Sequence, residues 1–173
     1  MIIEKHRINS CYVTSRFEKH DSLKNELLNI LQNQTSWASH NTAEKITKTD
    51  WYVPQDFVRD YWNFLYPEIH EHIKNVYQFL NMKDFSYTNH WSNMYDVGDF
   101  RDWHNHIESS WAHVYYVHLP DKTYGTEIKS DFDGEIIKPA VEEGMILSFP
   151  SGLQHRSPKI ESENKIIIAF NTK

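Results

Sequence analysis

The chain is poor in the residues that impose special architectures. Cysteine occurs once in 173 residues, at Cys11, so no internal disulfide can form and no thiolate cluster can hold zinc or iron–sulfur. That usage suits a reducing compartment, and a cytoplasmic location is expected. Five glycines and six prolines are too few for a fibrous or low-complexity chain. No apolar run approaches the roughly 20 residues that cross a bilayer. The opening Met1-Ile2-Ile3-Glu4-Lys5-His6-Arg7 lacks the longer apolar stretch of a secretory signal. No membrane partner is therefore expected. The net charge is −6 with no basic block, which disfavours nucleic acid, since neutralising phosphates takes clustered Lys and Arg.

What the chain does have is aromatic bulk. Six Trp, ten Tyr and nine Phe can fill the core of one ordinary domain with few, large pieces. Charged residues at 24% suit a globular surface. Eleven histidines invite a search for metal or acid–base chemistry.

There is no internal repeat and no linker, but the texture changes near residue 85. Residues 1–84 have helical apolar spacing. Asp21 or Ser22 is placed to cap a helix carrying Leu23, Leu27, Ile30 and Leu31. A second helix is expected after Trp51-Tyr52-Val53, with Pro54 in its first turn. Its apolar positions are Val58, Trp62, Leu65, Ile69, Ile73, Val76 and Leu80, and Pro67 is expected to kink or divide it. Over 85–173 the period shortens to about eight strands: 85–96, 102–106, 111–119, 126–132, 135–138, 145–150, 155–160 and 165–171. Helices first and strands second predict a single α+β domain, a barrel or two-sheet jelly roll with the helices on one outer face.

His104-Asn105-His106 is the first pattern with chemistry in it. On a strand, residues two apart project to the same side, roughly 6.6 Å apart, close enough to share a metal ion. A polar strand face with exposed histidines would read the same way. His155 is a third candidate, opening a strand after the tight Pro150-Ser151-Gly152 turn. Lys165 opens the last strand, sharing a face with Ile167, Ala169 and Asn171. It either snorkels to solvent or binds an anion inside, and strand statistics favour solvent.

These parts, in this order, resemble the iron(II)- and 2-oxoglutarate-dependent oxygenases, and more narrowly members of that superfamily common in marine bacteria and their phages. The residues that carry the resemblance are Trp91-Ser92-Asn93-Met94-Tyr95, Gly98, Asp102-Trp103-His104-Asn105-His106, Val114-Tyr115-Tyr116-Val117-His118-Leu119-Pro120, Phe149-Pro150-Ser151, His155 and Ala169-Phe170-Asn171. They span about half the chain, residues 85–172. The resemblance implies a double-stranded β-helix (a jelly-roll or cupin-like fold) in which His104, His106 and His155 hold Fe(II). It implies 2-oxoglutarate as co-substrate beside O2, with Lys165 at its 5-carboxylate and Tyr95 or Asn93 completing that contact. The implied reaction is hydroxylation of a small molecule or protein side chain, with release of succinate and CO2. It would run in the cytoplasm of a bacterium or of a phage host, with a homodimer left open.

Two residues depart from the superfamily pattern. His106 stands where most members have a carboxylate, which admits a three-histidine cupin-type dioxygenase that uses no 2-oxoglutarate. Lys165 stands where arginine is commoner, a point charge instead of a bidentate fork. Asp102 is a fallback ligand or supporting partner, and Arg156 competes with Lys165 for the anion, although alternation turns it away. A non-catalytic jelly-roll binding or structural module is the alternative outside enzymes. Trp91 reads as core, and Tyr115 or Tyr116 as packing or pocket lining. His90, His113 and His118 read as surface or ordinary core residues. His6, His20, His40, His70 and His72 read as solvated, with His70 and His72 on different helix faces.

Overall fold

The structure, a computed structural model, describes residues 10–34, 38–41 (backbone only) and 45–173. His6 and the His40 side chain lie outside the described residues. Among the described residues two α-helices and eleven strands make three layers. Helix α1 is His20–Asn33 and α2 is Asp60–Phe79. A seven-stranded antiparallel sheet has the order β1-β9-β6-β11-β4-β3-β2, and a four-stranded sheet the order β5-β10-β7-β8.

The eight strands of the second half are β4 (Tyr87–Tyr95), β5 (Arg101–His104), β6 (Trp111–His118), β7 (Glu127–Lys129), β8 (Ile136–Ile137), β9 (Met145–Pro150), β10 (His155–Ser157) and β11 (Lys165–Thr172). Strand β11 is buried at every position because both of its faces are covered. Ile166, Ile168 and Phe170 join Leu27, Leu31, Leu65, Ile69 and Ile73 of the helices in one core. Ile167 and Ala169 join Tyr116, Ile128 and Phe149 in a second core between the sheets. A strand covered on both sides reads as a continuous apolar run, which accounts for Ile166-Ile167-Ile168-Ala169-Phe170.

Residues 1–84 are less purely helical than the spacing predicts. Strands β1 (Val13–Arg16), β2 (Ala38–Asn41) and β3 (Lys45–Thr49) extend the larger sheet, β1 on β9 and β3 on β4. They are four or five residues long and largely polar, so no apolar alternation announces them. The helix starts also shift. Lys19 is the N-cap of α1, and Ser22 Oγ donates to its carbonyl. Helix α2 begins at Asp60, so Pro54 lies in the preceding turn, and Val58 is exposed. Pro67 does not divide α2. It and Asn63 sit on the exposed face, so the carbonyl deprived of an N–H stays beside water.

The described histidines of the helical half are not solvated as expected. His20 is buried, with Nδ1 2.8 Å from the Tyr115 hydroxyl. Gly144, at φ +81, makes room for it, because a Cβ there would stand 2.8 Å from the His20 ring. His72 is half-buried and bonded to Ser15 Oγ, while His70 packs on Tyr66 and Phe85 from the other side of the helix. In so aromatic a core these imidazoles pack as further flat rings.

Candidate metal centre

The smaller sheet supplies two of the three histidines. His104 ends β5 and His155 opens β10, and the two are register partners. His106 lies beyond β5, so the two-residue strand repeat does not place it. Its backbone N–H donates to the Ser151 carbonyl at 2.8 Å, and the turn carries its ring to 5.2 Å from His104 and 5.1 Å from His155. One ligand atom from each of the three falls within 4.8 Å of the others, the spacing of donors to a single ion.

Hydrogen bonds and burial prepare the imidazoles as ligands. His104 Nδ1 donates to the Asp102 carbonyl (2.7 Å) and His155 Nδ1 to the Leu153 carbonyl (3.0 Å). Both bonds fix the tautomer and leave Nε2 with its lone pair. Burial pushes His106 down to about 4 and His155 well below its ordinary value, with the His104 imidazole and the Arg101 guanidinium adding to the effect. Three imidazoles suit Fe(II), as they do several other divalent ions.

Asp102 supports the site through its backbone and not through its carboxylate. Between the pairs His155–His104 and Ser157–Arg101, two residues of β5 (Asp102 and Trp103) oppose one of β10 (Arg156). This irregularity breaks simple alternation. Asp102 is exposed, its carboxylate accepting from the Trp103 N–H, while Arg101 lines the cleft.

The cleft between the sheets runs from the histidines past Asn93, Tyr95 and Ser157, and Lys165 lies behind that wall, against Ser157 and Tyr95. Far from snorkelling, Lys165 is fully buried. Its ammonium donates to the Tyr124 carbonyl at 2.9 Å and to Ser157 Oγ, and lies 4.5 Å from the centre of the Tyr95 ring. An ammonium has three N–H donors, and among the described residues only these two acceptors are bonded to it. Asn93 stands beside it, with Nδ2 donating to the Tyr95 hydroxyl and Oδ1 without a partner among the described residues. Ser157 is two residues beyond His155 on one strand, roughly 7 Å along it, so it links the cation to the strand that carries a histidine. Arg156 is engaged elsewhere: it bonds Glu127 Oε2 at 2.7 Å and stacks on Trp103 at the rim.

Other expectations resolve by face. Trp91 lines the cleft. Tyr115 points to the helices, and Tyr116 is buried with its hydroxyl accepting from the Thr126 N–H. His90 stacks on Trp62, His113 is a buried core residue bonded to Ser148 and Thr172, and His118 is bonded to Glu143. Ser157 and Asn171 were open to inference from strand alternation with His155 and Lys165. Trp51 and Tyr52 gave no signal, because they come from the segment between β3 and α2.

A buried staple holds that segment. Asp50 Oδ2 accepts from Arg59 Nε (2.8 Å) and the Tyr61 hydroxyl (2.9 Å), and Oδ1 accepts from the Ser92 N–H (2.6 Å). Arg59 also donates to the Val53, Pro54 and Phe57 carbonyls, closing the loop that brings Trp51 to 4.5 Å from Trp91 and 5.8 Å from His106. Arg59→Ala leaves a buried carboxylate unpaired, so a stability loss of about 3–5 kcal/mol is expected. Denaturant unfolding measures it, and a loss under about 1 kcal/mol would show the staple to be dispensable.

No family model matches the sequence, and no curated protein matches it. Solved structures do match the fold. A Pseudomonas putida prolyl-4-hydroxylase is 12% identical with a TM-score of 0.65, over 94% of this chain and 92% of that one. A 2OG-Fe(II) oxygenase family oxidoreductase from Burkholderia pseudomallei is 8% identical with a TM-score of 0.74, over 94% and 85%. A viral collagen prolyl hydroxylase from Paramecium Bursaria Chlorella virus-1, in complex with 2OG, is 14% identical with a TM-score of 0.59, over 93% and 94%. The chain therefore shares its fold with solved enzymes of the superfamily that its histidine and lysine motifs resemble.

Proposed function

We propose that the chain is a mononuclear non-haem Fe(II) oxygenase that uses 2-oxoglutarate and O2 to hydroxylate a small molecule or protein side chain. The observation that carries this reading is a cleft holding three clustered imidazoles with a fully buried ammonium behind its wall, bonded to the cleft-lining Ser157. His104, His106 and His155 would hold the metal, which when bound supplies O2 activation coupled to decarboxylation of the co-substrate. Lys165, with Ser157 and Asn93 beside it, would bind the distal carboxylate, where exclusion of water strengthens the attraction. Trp51 and Trp91 would shield the reacting face from solvent. The strand order β9-β6-β11-β4 opposite β5-β10-β7-β8 supports a double-stranded β-helix as the frame.

The three-histidine dioxygenase without 2-oxoglutarate is the second reading, favoured by His106 in place of a carboxylate. The buried Lys165 weighs against it, since such an enzyme has no use for an interior cation. The purified protein supplied with Fe(II), ascorbate and 2-oxoglutarate is expected to form succinate slowly without a primary substrate, as measured by chromatography. Iron binding with no succinate and no 2-oxoglutarate-induced rise in melting temperature would favour the second reading. No helix among the described residues is long and apolar enough to cross a membrane.

A further inference from the structure

Asn171 shares the cleft-facing side of β11 with Lys165, Ile167 and Ala169, six residues and roughly 20 Å along the strand from the lysine. It is 1% exposed and lines the cleft, opposite Ala112 of β6. Neither its amide nitrogen nor its carbonyl oxygen has a hydrogen-bond partner among the described residues. Of the polar residues around it, His113 is bonded to Ser148 and Thr172, Thr172 to the Tyr77 hydroxyl, and the register partner Asn89 accepts from Thr88 Oγ1. Buried polar groups are nearly always paired, and leaving both halves of a carboxamide unmatched is costly. The fold pays that cost at one position facing the cleft.

The surroundings restrict what can match it. Trp91 is the register partner of Ala169, two residues from Asn171, and Trp51 packs on Trp91, so this end has flat apolar walls. Among the described residues no carboxylate lines the cleft, and its two arginines belong to the smaller sheet beside Ser157 and His155. A carboxylate ligand could accept from the Asn171 amide but would oppose its carbonyl oxygen, and an ammonium would do the reverse. A group presenting one N–H and one C=O side by side satisfies both atoms at once.

We propose that Asn171 is the substrate-recognising residue of this cleft, and that what it pairs with is neutral amide chemistry, a primary carboxamide or the N–H and C=O of one residue of an extended peptide, held against Trp51 and Trp91. This inference names the substrate class of the proposed oxygenase and rests on that reading.

The test is a binding screen on the Mn(II)-loaded protein with 2-oxoglutarate present. The probes are N-acetyl amino-acid amides with all twenty side chains, the matching N-acetyl free acids, and adenosine, whose edge also pairs with a carboxamide. Ligand-observed NMR and thermal shift serve as readouts. At least one amide is expected to bind ten-fold or more tighter than its free acid, and Asn171→Leu and Asn171→Ala are expected to weaken it at least ten-fold. Asn171→Leu is also expected to melt above the parent, because a residue kept for a ligand is released from its unpaired state while a structural one would be missed. Equal binding of amides and acids, preference for adenosine, or undiminished amide binding by both variants overturns the proposal. If the parent protein binds neither Mn(II) nor 2-oxoglutarate, the oxygenase reading itself has failed.

Discussion

His155→Ala is expected to weaken metal binding by more than about 100-fold and to reduce succinate formation to background. Even residues that merely orient a ligand cost 10- to 100-fold when lost, and His155 is a donor and also a hub. Its ring lies 4.3 Å from His104, 5.1 Å from His106 and 4.7 Å from Phe149. Removing it takes one of the three imidazoles and leaves two, one of them on the turn held to the Ser151 carbonyl. Anaerobic equilibrium dialysis with Fe(II), or titration with Co(II) as a spectroscopic stand-in, measures the affinity. His118→Gln is the control: it lies outside the cleft, paired with Glu143, and is expected to bind metal as the parent does. Unchanged affinity in His155→Ala would mean that the three histidines are not the metal centre.

The second large effect has two signs. Lys165→Met is expected to weaken 2-oxoglutarate binding by about 10- to 100-fold, the loss of one hydrogen bond to a charged group. The same change is expected to stabilise the unliganded protein at neutral and acid pH. Burial alone pulls the Lys165 ammonium down to about 7 from 10.5, so the folded state binds this proton less well than the unfolded state. Between those values the unfolded chain holds more protons, so the contribution to stability rises with pH. The penalty is complete below about pH 7 and disappears as pH approaches 10.5. At 1.36 kcal/mol per pH unit this amounts to a few kcal/mol. Denaturant midpoints at pH 6.5 and pH 10 test it: the gap in favour of Lys165→Met should be wide at pH 6.5 and nearly closed at pH 10. A pH-independent gap would show that the lysine is not charged against its surroundings. A raised stability joined to lost 2-oxoglutarate affinity is what distinguishes a functional buried cation from a structural one.

Much of the frame was legible because its signals are local. The 3.6-residue spacing of Leu23, Leu27 and Leu31, and of Leu65, Ile69 and Ile73, marks helices whatever they pack on. Eight strands in the second half announce themselves by short apolar runs between turns. His104, His155 and Lys165 each stand at a strand end, where position along the chain locates them well. The short strands β1, β2 and β3 carry no such signal: β1 and β2 are the edges of the larger sheet, and the five residues of β3, Lys45-Ile46-Thr47-Lys48-Thr49, are largely polar. The helical-half histidines were misjudged for a related reason. Nothing near His20 shows that Tyr115, 95 residues away, will meet its ring.

The sequence by itself determined two amphipathic helices in the first half and eight strands in the second, with His104, His106, His155 and Lys165 at fixed intervals and no thiolate cluster to compete for metal. Those properties depend on residue type and on the two periods of the backbone, which are set within a few residues. Only the tertiary structure decided which groups face one another. It covered the second face of β11 and so turned Lys165 from a surface cation into a buried one. It broke the alternation of β5, which put Arg101 in the cleft and left Asp102 exposed. It stapled Trp51 over the histidines through Asp50 and Arg59, and it left both atoms of Asn171 facing the cleft unpaired. Burial, register and unmet hydrogen bonds are relations between distant segments, and they exist only once the two sheets have closed on each other.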